Sequence, residues 1–143
     1  MLAEEANEFF TAQTLVDRLD AWADFAFVAI GTACKYMGKK SKCFMDIRDD
    51  YKEFNELAEY INTVQAQMIT MLSEELQLIA PNVDIDDLLG NVLMLVVEAN
   101  ELKGFELNAD GKVIKPANFV KPEFKIDCLL ATTFGSKYTP THS

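Results

Sequence analysis

No proline occurs before Pro81, and the residues ahead of it include only two glycines, Gly31 and Gly38. Proline removes a backbone donor and clashes with the preceding helical turn, and glycine weakens a helix entropically. A stretch nearly free of both, and poor in strand signals, is expected to be helical. The apolar spacing divides it into a short helix over about Leu2 to Ala12, a second over Leu15 to Met37 that stops at Gly38, and a third over Asp46 to Ile79. In the third, Ile47, Tyr51, Phe54, Leu57, Ile61, Val64, Met68, Met71 and Leu72 keep the three-four spacing of a bundle helix. Its length predicts a bend or break near Asn62–Thr63 or at Ser73.

Beyond Pro81, Asp84 is an N-cap for a fourth helix, Ile85 to Lys103, with Asp87 three residues on and Gly104 ending it. Asn108-Ala109-Asp110-Gly111 reads as a turn, and Lys112–Lys115 as a short strand of a small hairpin. Pro116, Pro122 and Pro140 mark an irregular C-terminal arm. The 143 residues fit a single all-α domain, a bundle of about four helices over residues 2–104 followed by hairpin and tail over 105–143.

Charge and composition narrow the function. Lys and Arg number 13 against 23 Asp and Glu, a net charge of −10, which opposes a direct grip on nucleic-acid phosphates. Carboxylates gathered round a metal, or an acidic surface facing a basic partner, remain open. Cys34, Cys43 and Cys128 lack CxxC spacing and fit a reducing cytoplasm, and the only histidine, His142, is next to last. The longest apolar runs fall far short of the ~20 residues that span a bilayer, and the N-terminus lacks the basic region of a signal peptide. A cytoplasmic protein is expected, in a bacterium or, for a phage-encoded chain, in its host.

The acids carry the chemistry. Residues three and four apart share a helix face, so Glu5 and Glu8 are neighbours, as are Asp17, Asp20 and Asp24, with Phe27 and Gly31 continuing that stripe. Like charges so spaced destabilise a helix by roughly 0.2–0.5 kcal/mol a pair. Asp24 is the sole charge in the segment AWADFAFVAIGTAC, Ala21 to Cys34, and no Lys or Arg lies within one turn of it. A carboxylate in such surroundings must be paired, hydrogen-bonded or bound to a metal. A hard divalent cation fits oxygen ligands. The plainer alternative is that Glu4, Glu5, Glu8 and Asp17 are solvated charges and Asp24 meets a distant lysine; the ExxE spacing recurs at Glu53/Glu56, Glu56/Glu59 and Glu98/Glu101. Trp22 and the phenylalanines read as core before they read as base-stacking platforms.

The order EEANEF, then DRLDAWADFAFVAIGTA, resembles the all-α nucleoside-triphosphate pyrophosphohydrolases, MazG-like proteins that include phage phosphoribosyl-ATP pyrophosphohydrolase-like members. Later, Asn100-Glu101-Leu102-Lys103 and the DGKVIKP segment, Asp110 to Pro116, resemble the NxxK and hairpin of the phage-type members. The resemblance covers roughly residues 2–36 and 92–124. It implies Glu5, Glu8, Asp20 and Asp24 as ligands of Mg²⁺, or Mn²⁺ in its place, with Glu5 activating water. It also implies Asn100, Lys103, Lys112 and Lys115 as contacts to a nucleoside triphosphate, a dNTP by expectation. The two hairpin lysines read equally well as solvated. A homodimer or homotetramer is expected, with the third helix's stripe as interface. The chain departs from the family in that the helix usual before the first acidic pair is not seen, Asp20 stands where its members have Glu, the segment from Gly38 to Asn82 is longer than their link, and the residues just before Asn100 lack the usual polar ones. The first two of these, with the net charge of −10, keep an alternative open, a non-catalytic scaffold that binds nucleotide or engages a basic host partner through its acidic surface.

Overall fold

A computed structural model describes the backbone of residues 2–38, 44–102 and 120–140, and within it the side chains of residues 2–32, 55–100 and 120–140. Among the described residues the fold is all-α: α1 (Leu2–Thr11), α2 (Leu15–Gly38), α3 (Phe44–Ile79), α4 (Ile85–Leu102) and α5 (Pro122–Phe134), then a 3-10 turn over Gly135–Lys137. The expected hairpin over 105–115 lies outside the described residues. Among those described, no helix is long and apolar enough to cross a membrane.

Local chemistry sets the helix ends. Thr14 Oγ1 accepts the Asp17 N–H at 3.1 Å, capping α2. Asp84 Oδ1 accepts the Asp87 N–H at 3.1 Å, so the sequence-predicted cap of α4 is made. The interruption expected in α3 is absent, and the helix runs unbroken for 36 residues. Thr63 stays in helical register by donating from Oγ1 to the Glu59 carbonyl at 2.8 Å, a bond to the preceding turn that satisfies the hydroxyl without breaking the ladder.

The C-terminal arm is more regular than its prolines convey. Pro122 occupies the first turn of α5, where a missing N–H costs nothing, and so begins a helix of 13 residues. Gly135 ends it with φ +58°, its N–H bonded to the Ala131 carbonyl.

The core is organised around α2, which packs against α1, α3, α4 and α5. Phe9, Val16, Leu19, Phe25, Met68, Leu72, Leu76, Val92, Val96, Ile126 and Leu130 are fully buried. Val64, Met68, Leu72 and Leu76 of α3 enter this core, whereas Met71 is 42% exposed. Leu57 and Ile61 of the same stripe are only half-buried and line an apolar groove between α2 and α3.

Two polar ties fix α2 on α3. Trp22 Nε1 donates to Gln65 Oε1 at 2.8 Å. The Arg18 guanidinium forks onto both Glu75 oxygens, Nε to Oε2 at 2.9 Å and Nη2 to Oε1, and its Nη1 donates to the Ala12 carbonyl at 3.0 Å. One side chain thus joins the link between α1 and α2 to the third helix.

Candidate metal centre

The link over Ala12 to Thr14 is short, and it folds α1 back along α2. Burial of Ala6 and Phe9 fixes which face of α1 meets α2. Glu5 and Glu8 border that face, and Asp24 stands opposite on α2. The three offer carboxylate oxygens that all lie within 4.8 Å of one another; Glu5 and Asp24 are half-buried and Glu8 is exposed. Three acids from two helices converge, all of them among the ligands that the resemblance implies.

Asp20 lies one turn before Asp24, but it is not among the three acids that meet within this distance. It is crowded by Asp24 and also by Glu123, in the first turn of α5, and one oxygen of Asp20 and one of Glu123 are buried without a hydrogen-bond partner. Sequence reasoning missed Glu123. No spacing rule could join it to Asp20, because the approach depends on α5 packing against α2.

The electrostatics follow from this crowding. Burial, then the charges of Glu8 and Asp24, a hydrogen bond with Glu8 and the charge of Glu4 push the Glu5 carboxyl up from 4.5 to about 7. Burial, then the charges of Asp24 and Glu123, the hydrogen bond with Glu123 and the charge of Asp17 raise Asp20 from 3.8 to about 8. Three oxygens of the assembly, Glu5 Oε2, Asp20 Oδ1 and Glu123 Oε2, are buried without a hydrogen-bond partner. Arg18, the cation nearest in sequence, is committed to Glu75 and Ala12.

The donor set fits a hard divalent cation. It offers only carboxylate oxygen, converging from two helices, with oxygens left unsatisfied inside the assembly. The group formed by Glu5, Glu8 and Asp24 could hold a metal ion such as Mg²⁺.

Of the expected substrate contacts, Asn100 is half-buried on α4 and its Nδ2 donates to the Val96 carbonyl at 3.1 Å. Lys103, Lys112 and Lys115 lie outside the described residues. Cys128 is exposed and unbridged. Comparison with protein-family models, curated proteins and solved structures finds no match to this chain.

Proposed function

We propose that the chain is a Mg²⁺-dependent nucleoside-triphosphate pyrophosphohydrolase, cleaving a dNTP to the monophosphate and pyrophosphate. The observation that carries the reading is the convergence of Glu5, Glu8 and Asp24 from two adjacent helices. The sequence resemblance supplies the substrate class.

In this proposal Glu5, Glu8, Asp20 and Asp24 hold the metal. When bound, it would neutralise phosphate charge and polarise a water. Glu5 orients that water and takes its proton. The water oxygen attacks the α-phosphorus, the bond from that phosphorus to the α–β bridging oxygen breaks, and pyrophosphate leaves. Asn100 and Lys103 contact phosphate or sugar, with Lys112 and Lys115 as further phosphate contacts. A homodimer or homotetramer is supported by an apolar groove of about 360 Å³ between α2 and α3, lined by the exposed Ile30 with Leu57 and Ile61 of the α3 stripe.

A second reading is favoured by one observation: Asp20 is not one of the three acids that converge within 4.8 Å, and Glu123 of α5 crowds it. On that reading the scaffold binds nucleotide, or engages a basic partner, without cleavage.

Incubation with a panel of dNTPs and Mg²⁺, followed by pyrophosphate detection, separates the two. Release by the wild type and its loss in Asp24→Asn are expected. Wild-type turnover no higher than that of the variant overturns the enzymatic reading.

A further inference from the structure

We infer that Tyr138 and Asp127 are positioning residues for the acidic centre, acting through Glu123. This rests on the metal-site reading above, and it assigns a role to the C-terminal segment that the reaction scheme does not require.

Asp127 is only 1% exposed, the sole acidic or basic residue buried to that degree among the described residues. A carboxyl group so placed costs heavily unless it is hydrogen-bonded. The Tyr138 hydroxyl donates to Asp127 Oδ1. The chain reaches this position by a specific turn. Gly135 takes φ +58°, a 3-10 turn follows, and the Tyr138 N–H bonds the Gly135 carbonyl at 3.2 Å. The segment doubles back so that Tyr138 can meet a helix it has just left.

Glu123 lies one helical turn before Asp127 and so shares its face of α5. Apolar packing by Ile126, Leu130 and Phe134 seats the helix. Such packing is non-directional and tolerates small rolls about the helix axis. A buried carboxyl–hydroxyl bond is directional and does not. Tyr138 itself packs against the core, so its bond to Asp127 ties the roll of α5 to that core and, with it, where Glu123 stands against Asp20 on α2, each with a buried unpaired oxygen.

The test uses the full chain and Mg²⁺ alone as probe, read by melting temperature and calorimetric titration. Tyr138→Phe keeps the ring and removes only the hydroxyl. It should leave the far-UV circular dichroism unchanged and raise the Mg²⁺ midpoint roughly 10-fold, the usual scale for groups that orient metal ligands. Glu123→Gln should weaken Mg²⁺ comparably, and the double variant should be no weaker than Glu123→Gln alone. An unchanged midpoint in Tyr138→Phe, or effects that simply multiply in the double variant, overturns the inference. If Tyr138→Phe does not fold, Asp127→Asn replaces it. That variant keeps an acceptor for the hydroxyl but loses the charge, so a smaller rise in midpoint supports the inference and no rise overturns it.

A wild type indifferent to Mg²⁺ sinks the metal reading, and a metal-free cycle then judges the strap. Glu123→Gln should raise the metal-free melting temperature by relieving its crowding with Asp20. A smaller gain in the Tyr138→Phe background supports the strap, and an equal gain rules it out.

Discussion

α2 presents two faces that solve opposite problems. Towards α3 every strong group is answered: Arg18 meets Glu75 and the Ala12 carbonyl, Trp22 meets Gln65, and Met68, Leu72 and Leu76 fill the space between. Towards α1 and α5 the helix gathers acids against acids, with oxygens of Glu5, Asp20 and Glu123 buried and unmatched. The first face is what a sequence does to stabilise a fold. The second costs stability when left to itself, and on the proposed metal reading a cation would offset that cost. The contrast teaches that the stable seam and the acidic face are parts of one device, since repulsion can be held in place only by a scaffold that does not yield.

Three experiments break or sharpen this contrast, beginning with the largest effect. Leu72→Ala on the α3 face removes a fully buried side chain and should destabilise the protein by about 2–5 kcal/mol in denaturant unfolding, with or without Mg²⁺. Asp20→Asn on the other face should act with the opposite sign. Without metal the variant should melt higher than wild type by about 2–4 °C, the shift produced by roughly 1 kcal/mol in a chain of this size, and it should gain less from Mg²⁺. A fall in metal-free melting temperature would show that the acid is structurally satisfied.

The smallest effect is a pH dependence. Glu5 and Asp20 bind protons more tightly folded than unfolded, with values raised to about 7 and about 8. Their contribution to metal-free stability is therefore complete below about pH 4, and it is lost as pH rises through 7 and 8. The melting temperature of metal-free protein should fall by a few degrees across that window. The gain from Mg²⁺ should grow across it, because cation and protons compete for the same oxygens. A gain that is constant from pH 5 to 8.5 would place the cation elsewhere.

Much of this was legible in the sequence, for reasons that differ by region. The helix limits followed from punctuation that acts locally: Asp84 as a cap, Gly38 and Pro81 as stops. Helical spacing paired Glu5 with Glu8, and the family resemblance joined Asp24 to them. Asp24 stood out as a charge in apolar surroundings. Two things were hidden. α5 was masked by Pro122, which breaks a helix from within but favours its first turn. Glu123 was hidden because its relation to Asp20 exists only once α5 lies on α2. Asn62, Thr63 and Ser73 misled in the other direction, as polar residues that a long helix absorbs.

The bond from Arg18 to the Ala12 carbonyl has a mechanical meaning. Ala12 is the pivot about which α1 would swing on α2, and Glu5 sits along that arm at roughly 10 Å from it, at 1.5 Å of rise per residue. A swing of about 10° would carry the carboxyl nearly 2 Å, whereas metal–ligand distances tolerate about 0.2 Å. Stiffness at the hinge therefore matters more to the acids than any contact beside them. Through Glu75, α3 clamps the short end of a lever whose long end holds the charge.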